Sequence, residues 1–465
     1  MRNKLFGSRE FYHRVLAISV PIMVQNAITN FVSLLDNVMI GRVGTVEMSG
    51  VAIANQLLFV FNMLVFGAIA GAGIFGAQFF GNRDLDGVRH TLRFKLMICL
   101  VLAAACIGIF TAFGPQLINL YLKGEGAVED AEASLRYGLQ YIKVMYIGML
   151  PYAITQAYAG TLRETGEPML PMKAGIVAVL VNLTFNYILI FGHFGAPRMG
   201  VVGAAIATVL SRFGELAIVV SWAHRHAVRF PYITGLYRSL HIPGRLFRDI
   251  LRRGTPLLVN EGLWAAGMAM LNQCYSLRSL DVVAATNISS TIWNLFACVY
   301  LALGSAISIM VGQELGAGDF EKAKVTARQT TAFSVAISIG VGLLMAFVGT
   351  YFPLIYRTTD TVRHLATNFI RIGACLMPFT AMTNALYFTL RAGGKTMVTF
   401  LFDSAFVWLI NIPVAYVLSR YTAMPILLLY ACCQSLEIIK CIIGTVMVKK
   451  GIWINNIVAD KKGEV

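Results

Sequence analysis

The sequence predicts an all-α polytopic membrane protein, with twelve transmembrane helices in two six-helix lobes related by an internal duplication. Three observations carry this. Of 465 residues, 57% are hydrophobic and 13% charged, against about 45–50% and about 25% in soluble chains, which excludes a soluble enzyme. Apolar stretches near twenty residues recur along the whole chain, each able to cross a hydrocarbon core of roughly 30 Å at about 1.5 Å per residue. The second half also repeats the first: a fixed shift of 235 pairs Pro21 with Pro256, Asn37 with Asn272, Gln78 with Gln313, Gly81 with Gly316, Asp84 with Asp319, Arg93 with Arg328, Tyr121 with Tyr356 and Arg136 with Arg371.

Taken in order, the first lobe's spans fall at 15–40, 48–80, 92–113, 135–160, 169–191 and 199–222. The first of them, with no small-residue cleavage site, reads as a retained helix and not a signal peptide. In the sixth, the small residues Gly203-Ala204-Ala205-Ile206-Ala207 let helices approach closely. The next segment, 223–250, carries Arg225, Arg229, Arg238, Arg245 and Arg248 with Pro231 and Pro243, and reads as a basic cytoplasmic linker. The second lobe's spans fall at 251–276, 282–315, 327–348, 362–390, 397–418 and 424–448. After a short deletion the repeat resumes, pairing Pro151 with Pro378, Thr161-Leu162-Arg163 with Thr389-Leu390-Arg391, Asn182 with Asn411 and Tyr187 with Tyr416. The expected domains are therefore an N-lobe at 1–222, the linker at 223–250, a C-lobe at 251–448 and a tail at 449–465. Six spans per lobe give the repeats one shared orientation, an arrangement common in secondary transporters with a substrate path between the halves.

The formal charge of +15, from 38 Lys plus Arg against 23 Asp plus Glu, would suggest nucleic acid in a soluble chain. Here roughly 26 of the basic residues fall in the alternate loops that share a side with both termini, which by the positive-inside rule makes both termini cytoplasmic in a cell (inner or plasma) membrane. The eight cysteines lie in or at the ends of apolar spans with no C-x-x-C pair, and read as packing residues. Most of the 20 Met and 29 Phe are expected to face lipid or pack between helices. Gly394-Lys395-Thr396 ends like a phosphate-binding loop, but Thr389 stands where that motif needs Gly, so no ATP hydrolysis is expected.

Ionisable groups inside spans are costly, and each is a functional hypothesis tested by its polar company. On the first span Asn26, Thr29, Ser33 and Asp36 follow helical steps and form one polar stripe ending at the carboxylate; the plainer alternative is an Asp at a helix end reaching interfacial water. Asn182 and Asn186 lie one turn apart on the fifth span, and Thr208 follows the small-residue run of the sixth. Together with Asp36 they offer oxygens for a hard cation such as Na⁺, whereas the carboxylate alone suits a proton. Hydrogen bonding between helices is the alternative for the two amides. Glu261 sits well inside the seventh span, beside Asn260 and one turn from Trp264, at the repeat position of Asn26. A coupling or substrate role competes there with a buried pairing to Arg278 or Lys440. Asp403 on the eleventh span is a further candidate, whereas Arg212 with Glu215, and Glu437 with Lys440, are expected to pair locally across three residues.

Pro21 with Gln25-Asn26, then Leu35-Asp36-Asn37-Val38-Met39-Ile40-Gly41, then Gly76-Ala77-Gln78 with Gly81, and their second-half counterparts, give the chain a likeness. It resembles, over nearly its whole length, the multidrug and toxic compound extrusion (MATE) family of cation-coupled efflux transporters. The resemblance implies a non-enzymatic antiporter of twelve helices and two lobes that exports organic, often cationic, compounds in exchange for Na⁺ or H⁺, with no cofactor beyond that ion. It also implies an N-lobe cation site at Asp36, with fifth- and sixth-helix partners matched by Asn182, Asn186 and Thr208. Some members have Asp where this chain has Asn186. Members that couple through the C-lobe carry acids on the seventh and tenth helices; Glu261 is a near but shifted match, the tenth helix offers Thr380, Thr383 and Asn384 but no acid, and Asp403 is the substitute one helix later. The expected partners are small organic substrates and the bilayer, with no nucleic acid, and the chain is expected to be a monomer. The readings in competition are a lipid-linked precursor flippase of related fold, which wants a basic cavity, and a membrane-embedded enzyme such as a prenyltransferase, for which no Asp-rich diphosphate motif is present.

Overall fold

The computed structural model describes residues 7–122, 128–356 and 358–459. Among them are twelve long helical rods: α1 Arg9–Gly41, α2 Thr45–Gly81, α3 Leu85–Leu122, α4 Val128–Glu164, α5 Met169–Phe191, α6 Gly200–Arg225, α7 Gly244–Ser276, α8 Leu280–Gly316, α9 Phe320–Tyr351, α10 Asp360–Ala392, α11 Thr396–Tyr421 and α12 Ile426–Lys449. Ten of these are long and apolar enough to cross a membrane; α4 and α7 are long enough but more polar. The first turns of α7 explain its case, since they carry Arg245, Arg248, Arg252 and Arg253.

The helices overrun the predicted spans at their polar ends. Hydropathy reports only the apolar middle, whereas hydrogen-bonded capping fixes where a helix starts. Asp319 caps α9 by accepting from the Lys322 amide at 3.1 Å. Ser279 and Thr359 cap α8 and α10 in the same way. α11 departs from α-helical geometry: Leu401–Ala405 and Val407–Asn411 are π-helical, a form that recurs at functional sites.

The chain forms two compact units. One holds the residues up to Met23, Ala77–Asp84 and the chain from Asp249; the other holds Val24–Gly76 and Leu85–Arg248. In the first unit, Val15, Ile18 and Ile22 of α1 pack on Ala302, Leu303, Ala306 and Met310 of α8. A second core gathers Leu271, Ala285, Phe369 and Tyr430 from α7, α8, α10 and α12. The repeat is visible within this unit as a reciprocal contact. A Cβ on Gly81 would lie 1.9 Å from the Gln313 carbonyl oxygen, and one on Gly316 would lie 1.9 Å from that of Gln78. Only glycine permits either approach.

The second unit buries an ion pair. Lys95 of α3, with a fully buried side chain, donates to both Glu164 carboxylate oxygens at 2.8 and 2.6 Å and to Thr161 Oγ1 at 3.0 Å. Gly76 of α2 leaves room for the acid, since a Cβ there would stand 2.3 Å from Glu164 Oε2.

The predicted linker region is folded onto α3. Phe230, Tyr232, Ile233 and Leu236 are buried around a 3₁₀ turn at Pro231–Ile233. Arg93 donates to the carbonyls of Leu236, Gly235 and His241, and Arg89 to those of Tyr232 and Pro231. Arg229 pairs with Glu167 at 2.8 Å, and Thr165 and Tyr232 share a hydroxyl hydrogen bond at 2.9 Å. Burial raises the Tyr232 phenol well above its ordinary pKa. Because hydrogen bonds to a charged group contribute about 1.5–3 kcal/mol each, Arg93→Ala should free this segment. Tryptic cleavage after Arg238 is expected to accelerate by at least about tenfold through the raised open population, read by mass spectrometry of the timed digest.

Candidate functional site

Four of the sequence candidates meet in the second unit. α5 presents Asn182 and Asn186 from adjacent turns of one face, both buried. The Asn186 amide Nδ2 donates to Asp36 Oδ1 at 2.6 Å and to Asn182 Oδ1 at 3.0 Å. Asn182 Nδ2 in turn donates to Thr208 Oγ1 at 3.2 Å, and that hydroxyl donates back to Ala204 O at 3.0 Å. One hydrogen-bonded chain thus runs from the α1 carboxylate through α5 to α6. Asn186 Oδ1 is buried with no hydrogen-bond partner, an unmet acceptor beside a carboxylate that suits a hard cation or its water. Of the predicted stripe, Thr29 bonds back to Gln25 O at 2.9 Å, and the Ser33 side chain lies outside the described residues.

The sequence did not single out Tyr141 of α4, which is buried close enough to Thr208, Asn55 and Asp36 to feel their electrostatics. Arg212 also acts on Asp36 through space. It pairs with Glu215 at 3.7 Å, as its spacing indicated, and stacks over the Tyr152 ring at 4.5 Å. Asp36 is therefore held by one amide, that of Asn186.

The first unit holds the other two candidates in a denser network. Asp403 Oδ1 accepts from Lys440 Nζ at 2.6 Å, and Oδ2 from Asn260 Nδ2 at 3.1 Å. Asn260 also reaches Tyr387 OH at 3.4 Å, and its Oδ1 accepts from Ser404 Oγ at 2.7 Å. Glu261, the next residue, lies in the fields of Arg391 and Asp403. Asp403 lies in the middle of the first π-helical stretch of α11 and Lys440 is buried on α12.

This network corrects one expectation and removes one alternative. Lys440 pairs across helices with Asp403, not with Glu437 on its own helix. Nor does either predicted partner answer Glu261, since Lys440 is engaged by Asp403, and Arg278 donates to the carbonyls of Leu418 and Thr422 at 2.8 and 2.6 Å. The physical reason is depth: a carboxylate facing the bundle takes the nearest buried cation, which local spacing does not reveal. Arg391 was legible as the repeat partner of Arg163. On α10, Thr383 meets Cys441 Sγ at 3.0 Å. Among the described residues no three His, Cys, Asp or Glu side chains converge as metal ligands.

Two units of long membrane-spanning helices, each enclosing a polar cluster with a carboxylate, define a multi-pass membrane transporter. The MatE family model matches residues 21–188 and 257–417, and the chain belongs to that family of efflux transporters. It is 24% identical over 421 residues to the "Probable multidrug resistance protein NorM" of Thermotoga maritima, covering 90% of this chain and 88% of that protein. To the protein of the same name from Bradyrhizobium diazoefficiens it is 26% identical over 428 residues, covering 88% and 87%. Its fold matches the crystal structure of a mutant of the Vibrio cholerae MATE transporter VcmN with a TM-score of 0.84 at 16% identity, covering 96% and 98%. A crystal structure titled "MATE in the straight conformation" also gives 0.84, at 19% identity, covering 96% and 97%.

Breaking a buried pair from one side leaves an uncompensated charge and typically costs about 3–5 kcal/mol. Lys440→Met is therefore expected to lower the thermal unfolding midpoint in detergent sharply. The double variant Lys440→Met with Asp403→Asn should recover most of the loss, because no bare charge remains. Fluorescence-detected unfolding of the two variants and the parent reads the difference.

Proposed function

We propose that this chain is a secondary antiporter that exports organic, often cationic, compounds in exchange for H⁺ or Na⁺, with Asp36 as the coupling carboxylate of the N-lobe and Asn182, Asn186 and Thr208 as its oxygen partners. The observation that carries this is the hydrogen-bonded chain from Asp36 through Asn186 and Asn182 to Thr208. An amide donor stabilises a carboxylate without cancelling its charge, and Arg212 acts on Asp36 only through space, so a cation arriving there has no directly bonded guanidinium or ammonium to displace. Na⁺ would be held by Asp36 with the amide and hydroxyl oxygens, whereas H⁺ would sit on Asp36 alone. Cation binding need only favour one access state and substrate the other.

Glu261 and Asp403 are assigned a secondary place in the C-lobe. Asp403 is paired with Lys440, so a cation binding there would have to compete with the ammonium. Glu261 answers Arg391 through space, which leaves it the better C-lobe candidate. Both termini are placed on the cytoplasmic side of the cell membrane, the lobes at 1–222 and 251–448, and the chain as a monomer. The names of the NorM relatives support drugs as the substrate class.

The primary test is efflux of ethidium from proteoliposomes under separate Na⁺ and H⁺ gradients. Asp36→Asn should lose uphill efflux while equilibrium ethidium binding largely survives; a charge crossing roughly 100 mV carries about 2.3 kcal/mol, the driving force lost wherever exchange moves net charge. Undiminished uphill transport would reject the assignment. Glu261→Gln should fold normally and reduce efflux of cationic compounds, and a wild-type rate would leave coupling to the N-lobe alone. A reporter fused after Val465 should be active only when cytoplasmic, and an external signal would overturn the assigned orientation.

A further inference from the structure

α1 and α2 each pass from one compact unit to the other without a break in the helix, at Met23 and Gly76. In an alternating-access transporter, rigid bodies rock against one another, and the elements that run between them have to be gripped or released at their ends. The first unit grips both helices through repeat-related glutamines. Gln313 Oε1 accepts from Arg14 Nη2 of α1 at 3.1 Å. Gln78, in the last turn of α2 and fully buried, is held differently, by the segment beyond α12.

There the chain turns at Gly451, where φ is +68°, and folds back. Trp453 is 1% exposed, donates to Val448 O at 3.1 Å and packs with Val311, Leu315, Leu390 and Phe402. Gly393 admits it, since a Cβ there would stand 1.7 Å from the Trp453 carbonyl oxygen. Beyond it, every polar atom of the Gln78 amide is used: Nε2 donates to Ala392 O at 3.0 Å and to Asn455 O at 3.2 Å, and Oε1 accepts from the Ile457 amide at 2.9 Å. Asn456 Nδ2 donates to Gly316 O at 3.1 Å, at the end of α8. The segment thus ties together the ends of α2 and α8, where Gly81 and Gly316 already bring the two backbones into contact.

We propose that residues 453–458 are a latch: docked on Gln78 and Gly316 they favour one access state, and transport requires them to undock from the end of α2. A tail serving only as structural filler would be satisfied by the Trp453 pocket. This one also engages every polar atom of a side chain on a helix that belongs mostly to the other unit. The repeat sharpens the point, because Gln313 occupies the equivalent position and is bound instead by the half-exposed Arg14. The inference rests on the transporter class and not on which ion is coupled.

The test uses the full chain with its eight native cysteines replaced and new ones placed at Asn82 and Asn455, joined by a cleavable bis-methanethiosulfonate. Cross-linking should cut ethidium efflux by at least about tenfold through loss of one access state, and reductant should restore it; the restoration excludes misfolding. Equal efflux before and after cross-linking would overturn the latch, whereas a parent that exports nothing would count against the proposed substrate class. Ile457→Cys gives a reading independent of transport. Its maleimide labelling rate should change at least about threefold between saturating ethidium and a Na⁺ or pH jump, because the populations of the two states shift. A rate that stays constant across these conditions would equally overturn the proposal.

Discussion

A carboxylate surrounded by helices and lipid has lost most of its water, and the structure has to answer each one or leave it neutral. Three answers are visible. Glu164 is closed off by Lys95, whose ammonium also donates to Thr161, and Asp403 by Lys440 and Asn260. Asp36 is answered by an amide that is itself oriented by a second amide and a hydroxyl. The first two arrangements neutralise the charge with a tethered cation and favour a fixed local geometry. The third binds the carboxylate to no tethered cation, with Arg212 acting only through space, which is the property a site for an exchangeable cation needs.

The same logic orders the small residues. Gly76 exists where the Glu164 carboxylate leans on α2, Gly393 where the Trp453 carbonyl leans on α10, and Gly81 with Gly316 where two helix ends cross. Gly76 lies inside α2, Gly81 and Gly316 end their helices, and Gly393 caps the end of α10. Each marks a place where backbone or a charged group has come within a side chain's breadth of a helix, so that a methyl group would force the packing apart.

Much of this was legible in the sequence, and the part that was not has identifiable causes. Apolar length located the helices, and the repeat register anticipated that Gln78, Gly81, Gln313 and Gly316 are equivalent, which their mutual contact makes concrete. The spacing of Asn182 and Asn186 placed both on one face of α5, as found. Hydropathy could not see the helix ends, because Asp319, Ser279 and Thr359 extend helices into polar sequence by capping. The order of the linker region also escaped, since the partners of Arg89 and Arg93 are backbone carbonyls with no sequence signature. The partner of Lys440 was hidden because spacing along one helix says nothing of what faces it from another.

The π-helical stretch of α11 bears on how the two halves diverged. Asn182 stands thirteen positions beyond the start of α5 at Met169, whereas its repeat counterpart Asn411 stands fifteen beyond Thr396. α5 is regular throughout, and α11 has two wide turns in that interval. A wide turn is how a helix absorbs an inserted residue without breaking, and the repeat shift grows from 228 at Thr161 with Thr389 to 229 at Asn182 with Asn411, one residue gained across this interval. Such an insertion rotates the remainder of the helix by about 100° relative to a regular one. Asn411 accordingly keeps its place in the alignment but not its role, and its Oδ1 is buried without a hydrogen-bond partner.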